Sequence, residues 1–221
     1  LIGIASIVLT SCTTTGPTLQ ETRQLELSIP ADTLLRIDAG AGSLSLRGDA
    51  GTEVIRVEAE IWQVTPNDDY ALSLELDDNG AARLVSSPGA GTTDDRIDLD
   101  IRVPESIRLD ATDGAGSLEI TGIEGPLFIR DGSGSIRIED TGADITIQDG
   151  SGSLRVENTD GNLRIDDGSG SITIGNTAGD VTITDASGSI SVTDTAGVVT
   201  IRDGSGSIDV DGAEDFELLE D

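Results

Sequence analysis

The chain has 221 residues, with 42 Asp and Glu against 13 Lys and Arg and a formal net charge of −29. All 13 basic residues are Arg and His is absent. This excludes a Schiff-base or Walker lysine, a histidine general base and a histidine metal ligand. The same balance argues against nucleic acid and against an anionic membrane surface, since both are bound through clustered positive charge. The length fits one domain or two. The only aromatics are Trp62, Tyr70, Phe128 and Phe216, so the core must be built from aliphatic side chains.

The chain opens Leu1-Ile-Gly-Ile-Ala-Ser-Ile-Val-Leu9 and runs through Thr10 and Ser11 to Cys12, its only cysteine. This apolar run is shorter than the ~20 residues a membrane span needs. It reads as the end of a signal peptide (residues 1–12), with the basic start expected upstream. Leu9-Thr10-Ser11-Cys12 resembles the lipobox of bacterial lipoproteins: an apolar residue and two small ones before the cysteine whose thiol takes diacylglycerol. The alternative is a buried free cysteine in an ordinary secretory signal or strand. By the resemblance, the mature chain starts at lipid-bearing Cys12 and lies in the cell envelope. Thr13, where an Asp would otherwise stand, implies the outer membrane in a Gram-negative cell. With a single cysteine, a disulfide within the chain is impossible.

Residues 13–24 are polar, with Gly16-Pro17, and predict a flexible tether. Residues 25–112 predict irregular coils and an N-terminal cap joined to the same core, with a separate binding subdomain as the alternative. Leu35/Ile37 and Leu44/Leu46 lie nine positions apart, and strand candidates follow at Val54–Ile61, Ala71–Leu76, Arg83–Val85 and Ile97–Val103. Polar breaks at Pro66–Asp69 and Ser86–Asp95 predict surface loops.

Residues 113–210 are strictly periodic. Asp-Gly-Ser-Gly-Ser-Ile-x-Ile begins, with small variations, at 113, 131, 149, 167, 185 and 203. A second set of nonapeptides lies halfway between. Both carry an aliphatic pair two positions apart, from Leu118/Ile120 to Ile208/Val210, which is the strand period. A tight corner with Gly and Asp or Asn follows each strand. Two strands then make one 18-residue coil, and equivalent positions stack about 4.8 Å apart. The predicted fold is all-β: a single-stranded parallel β-solenoid (β-helix) with two strands per coil. Right-handed coiling is expected on general crossover grounds. A left-handed hexapeptide helix has coils of the same length, but no inward residue recurs every six positions. Residues 211–221 break the rhythm; Phe216, Leu218 and Leu219 among acids predict a C-terminal cap with a charged edge.

With that repeat in view, DAGAGSLSLRG at 38–48, IDLDIRVP at 97–104 and the SGSI and AGDV units resemble a bacterial "putative adhesin" family of β-solenoids of unknown function. The resemblance covers about residues 27–210. It implies the solenoid fold and an envelope setting, and carries no catalytic residues to this sequence. The family's usual unit is closer to Ser-Gly-Asp-Ile, whereas half the units here read Gly-Ser-Ile.

The strongest candidate chemistry is the column Asp113, Asp131, Asp149, Asp167, Asp185 and Asp203. Stacked carboxylates repel by about 1 kcal/mol per pair in water. Ca2+ bridging would offset this, with Asp131, Asp149, Asp167, Asp185 and Asp203 as the candidate metal ligands. The calcium nonapeptide GGxGxDxUx, however, has its Asp where this chain has Ile136, Leu154, Ile172 or Ile190. The competing reading is that each Asp caps the amides of its own turn. The hydroxyl columns of Ser133 to Ser205 and Thr141 to Thr195 have no base to activate them, and read as turn hydrogen-bonding ladders. A regular Thr-x-Thr ice-binding face is limited to Thr182/Thr184. Arg137 and Arg155 with Glu139 and Glu157 read as a surface charge ladder. The expectation is therefore a non-catalytic envelope module, structural or adhesive. It needs no cofactor, has a membrane anchor at Cys12 and a protein or surface-polymer partner, and acts on no small-molecule substrate. A calcium-binding surface protein is the alternative, and a carbohydrate-active enzyme the remote one.

Overall fold

Alternation of aliphatic and polar residues, broken every nine positions by a glycine-bearing corner, sets the architecture of the C-terminal half. The computed structural model describes residues 16–30, 32–89 and 92–219, and among them there are eighteen strands and no helix. In chain order the N-terminal strands are β1 (Thr18–Ser28), β2 (Leu34–Asp49), β3 (Val54–Gln63), β4 (Ala71–Leu76), β5 (Ala82–Ser87) and β6 (Arg96–Pro104). The solenoid then begins with β7 (Arg108–Ile123). It continues as β8 (Leu127–Asp131), β9 (Gly134–Thr141), β10 (Ile145–Asp149), β11 (Gly152–Thr159), β12 (Leu163–Asp167), β13 (Gly170–Thr177), β14 (Val181–Asp185), β15 (Gly188–Thr195), β16 (Val198–Asp203), β17 (Gly206–Asp211) and β18 (Asp215–Leu219).

The register is that of a two-walled parallel solenoid of about six turns. In the first wall Ile145 pairs with Leu127 and with Leu163, its equivalents one coil before and one coil after. In the second wall Leu154 pairs likewise with Ile136 and Ile172. Of the 22 aliphatics in the periodic pairs, 20 are buried; Ile208 and Val210, in the last full coil, are half-buried. Each burial contributes roughly 1.5–3 kcal/mol before ordering entropy is subtracted. The residue between the pair faces outward. Phe128 holds that position once, and its ring is covered by the Arg130 guanidinium at 4.1 Å.

Glycine is obligatory at one corner position. Gly134, Gly152, Gly170 and Gly188 have φ of 141° to 157°. A Cβ there would meet the carbonyl oxygen of the glycine one coil earlier at 1.7–1.9 Å. The walls can therefore turn onto each other only where the side chain is missing.

The N-terminal region departs from the parallel expectation. β2 lies directly against β7, a strand far later in the chain, with Leu34 opposite Arg108 and Leu44 opposite Leu118. Both strands run 16 residues unbroken through the corner and so belong to both walls. The intervening segment extends the stack on the other side of β2. β5 and β6 pair with it in parallel, and β4 on β5, β3 on β6 and β1 on β3 are antiparallel. The strand candidates of residues 54–103 are thus all strands, but three of their pairings reverse direction. For β4 and β5 the cause is the connection: Asp77-Asp78-Asn79-Gly80 closes a hairpin, with the Asn79 and Ala81 amides bonded to Asp77, and a hairpin joins antiparallel neighbours.

Two boundaries also change. Thr18–Gln24, expected in the tether, belong to β1 and pair with β3 from Thr18–Gln63 onward. Tyr70 fixes this strand by donating to Glu21 and accepting from Arg23 at 3.0 Å. At the other end Phe216 and Leu218 lie one position off the 18-residue rhythm, as expected, yet still find strand partners. They stand opposite Val199 and Ile201, because the preceding corner is shorter than its equivalents by a single position. They are 42% and 53% exposed, since no further coil covers them among the described residues.

Candidate functional site

Strand parity determines where the aspartate column sits. Ile129, Ile147, Ile165 and Ile183 face inward, so Asp131, Asp149, Asp167 and Asp185, two positions on, face inward as well. Asp113 follows Ala111 in the same way. These five carboxyls are only 3–7% exposed. Asp203, in the last full coil, is half-buried. Neighbouring members are direct strand partners, from Asp113 and Asp131 through to Asp185 and Asp203. The column is therefore an internal seam along one narrow side of the solenoid.

In four of the six, one carboxyl oxygen caps the turn that follows. Ser151, Ser169, Ser187 and Ser205 donate their backbone N–H to Oδ1 of Asp149, Asp167, Asp185 and Asp203 at 3.1–3.3 Å. The turn-capping reading holds for these four. The serines act through their backbone; Ser151 and Ser169 carbonyls accept from Gly134 and Gly152 across coils at 3.0 Å. The other carboxyl oxygen is a different matter. Asp113 Oδ2, Asp131 Oδ1, Asp149 Oδ2 and Asp185 Oδ2 are buried and have no hydrogen-bond partner among the described residues.

Burial is the main force on these groups, because it disfavours the charged form. It pushes Asp113 up to about 7, helped by the charge of Asp131. It pushes Asp167 up to about 6, helped by Asp149 and Asp185. Asp131, Asp149 and Asp185 are raised for the same leading reason, and turn amides act against the rise. Shifted carboxyls often mark active sites, but a substrate has no path to these through the stacked strands. Among the described residues no three Asp, Glu, His or Cys side chains are placed to share a metal ion.

The opposite narrow side carries two other ladders. Asp140, Asn158, Asn176 and Asp194 adopt φ of 53–56°, a left-handed conformation that Asn and Asp tolerate best. Asn158 Nδ2 donates to Asp140 and Asn176 Nδ2 to Asn158, both at 2.8 Å. That left-handed residue breaks the alternation and turns Thr141, Thr159, Thr177 and Thr195 inward, where they are buried. Thr141 donates to the Thr159 hydroxyl at 3.1 Å, so the threonine ladder is internal. Outside them, Asn162 N and Asp180 N donate to Asp144 and Asn162, again from one coil to the next.

The wide outer faces carry rows of charge. Arg137 and Arg155 are strand partners and donate to Glu139 and Glu157. Arg56, Arg102 and Arg47 form a second row on adjacent strands of the same wall, and Arg56 pairs with Glu26 at 3.1 Å. A shallow hollow of about 460 Å³ lies at the corners, between Asp49, Gly51–Glu53 and Pro104–Ser106. Trp62 lies on the outer face under Arg96, 4.6 Å from its ring. Cys12 and its lipobox-like neighbours lie outside the described residues.

No family model and no curated protein matches the chain. Among solved structures it is similar to a "putative cell adhesion protein" from Clostridium sporogenes, at 11% identity and TM-score 0.41, over 91% of this chain and 100% of that one. A "putative adhesin" from Bacteroides fragilis aligns at 10% identity and TM-score 0.35, over 91% and 97%. One from Parabacteroides merdae aligns at 9% and 0.32, over 90% and 97%. The fold assignment rests on the strand register described above and not on these superpositions.

Proposed function

We propose that this chain is a cell-envelope protein, lipid-anchored through Cys12 and held at the outer membrane in a Gram-negative cell. Its solenoid acts without catalysis, as a structural or adhesive module toward a protein or surface polymer. One observation carries this reading: the perturbed carboxyls are sealed inside the stack, while the outside is two wide walls of stacked polar rows joined by short corners. Such a body presents a repeating surface, and among the described residues its hollows are shallow, with no deep cleft that gathers an acid, a base and a substrate. The lack of His and Lys leaves the exposed Ser and Thr hydroxyls without an activating base. The rows of Arg137/Arg155 and Glu139/Glu157 offer a partner a fixed spacing of charge.

The anchor is tested in cells expressing the full chain and fed a palmitate analogue. Label and membrane sedimentation are expected for the wild type and neither for Cys12→Ala; equal labelling contradicts the anchor. The interaction role is tested by cross-linking on the same cells. A cross-linked envelope partner is expected, and it should be lost when Arg137 and Arg155 are both changed to Glu. Cross-links that survive that change place the contact away from this face.

A further inference from the structure

A column of inward carboxyls with unpartnered buried oxygens requires hydrogen-bond donors, and for those oxygens the described residues supply none. The facing strands begin with the buried aliphatics Leu118, Ile136, Leu154, Ile172 and Ile190. Below Asp113 the seam continues into Ala39 of β2. Among the described residues the charges acting on the seam are its own members: Asp131 on Asp113 and Asp149, Asp149 and Asp185 on Asp167, and Asp203 on Asp185. An unpaired buried carboxylate oxygen is costly, and two adjacent charged carboxylates more so. A proton removes both penalties, since it neutralises one carboxyl and lets that O–H donate to the next.

We propose that the inner aspartate column is a proton-binding ladder, in which carboxyls of successive coils share protons as O–H···O hydrogen bonds along the solenoid interior. One oxygen of each residue stays on its turn amide and the other joins the ladder. The folded chain then holds protons near neutral pH that the unfolded chain, with ordinary aspartates, gives up. The direction of every resolved shift in the column agrees with this.

Raised folded values mean that the ladder's contribution is complete below the unfolded aspartate range, near pH 4. It is lost as pH rises through about 6 to about 7, where Asp167 and Asp113 ionise. The composition makes this window unusually clean. With no His and no Lys, no side chain of ordinary pKa titrates between about pH 5.5 and about pH 7.5.

The test is reversible denaturation of the full chain across that window. Each proton held only by the folded state lowers the folding constant about tenfold per pH unit until the folded chain loses it too. A fall of at least that size is expected between about pH 6 and about pH 7.5, with proton release on unfolding at about pH 6. Asp113→Asn with Asp167→Asn removes the two carboxyls that ionise in this window and supplies uncharged donors in their place, and it should flatten the slope. A folding constant that is flat or rises with pH overturns the ladder, as does an undiminished slope in the Asn variant. Should that variant fail to fold, infrared spectroscopy of the wild type decides. A protonated-carboxyl band is expected in the folded chain near neutral pH and absent after unfolding; no such band overturns the ladder. Calcium that stabilises the chain at about pH 7.5 and abolishes the pH slope would also overturn it, by placing a metal where the protons are proposed.

Discussion

Residues 108–211 and residues 18–107 bury the same kinds of side chain in two walls, yet they solve the stacking problem differently. The later region adds coils by repeating one unit, so each strand pairs with its equivalents above and below. The earlier region reaches the same two walls by nesting. β2 is laid down, four strands are added on one side of it, and β7 returns to cover the other. Repetition makes stability local and additive along the stack. Nesting makes its contacts long-range, because β2 and β7 meet across the whole segment between them.

The contrast is broken most severely at the crowded glycines. Gly152 has φ of 142°, and in Gly152→Ala the new Cβ would lie 1.7 Å from a carbonyl oxygen. Roughly 1–3 kcal/mol of strain adds to roughly 1–3 kcal/mol of overpacking. At about 2–4 °C per kcal/mol the melting point should fall by roughly 10 °C. Gly51→Ala in the nested region has a positive φ but open space around it, and should cost about 1–2 kcal/mol. Thermal melts of the two variants compare them directly.

Core truncation comes next. Ile165→Ala and Ile101→Ala remove equally buried side chains, at about 2–5 kcal/mol each. Hydrogen exchange should separate them. Ile165→Ala should expose amides in the adjoining coils alone, whereas Ile101→Ala should expose β1, β3 and β6 together. Identical spread in both variants would erase the distinction.

Smaller effects belong to the surface ladders. Asn158→Ala loses a side-chain bond on each side and puts Ala in a left-handed backbone, at about 1–2 kcal/mol by denaturant titration. Asn158→Gly should recover most of that. Arg137→Ala removes an exposed ion pair and should change stability by less than about 1 kcal/mol.

The solenoid was legible in the sequence because its signal is redundant: eleven aliphatic pairs and eleven corners state one geometry. The inward aspartates were legible in principle, since Asp131 shares the parity of Leu127 and Ile129, but their place beside a turn suggested an outer edge. The inward threonines were harder to read, because the Asp or Asn before each one marks an ordinary turn as readily as the left-handed residue that shifts parity there. The nesting of β2 under β7 was hidden for another reason. Pairing at so long a separation leaves no local trace beyond the shared Gly-Ala-Gly-Ser corner at 40–43 and 114–117.

The central claim is that one coil of the repeat is the modular unit of the C-terminal stack, and excising one coil tests it most directly. Deleting residues 132–149 joins Asp131 to Gly150, the same place in the repeat, and leaves the pairing intact with β8 opposite β12. The account predicts a folded chain that melts cooperatively with an unchanged β-sheet circular dichroism spectrum. Deleting residues 54–71, of equal length in the nested region, should abolish folding. A shortened solenoid that fails to fold while the nested deletion survives would contradict the account.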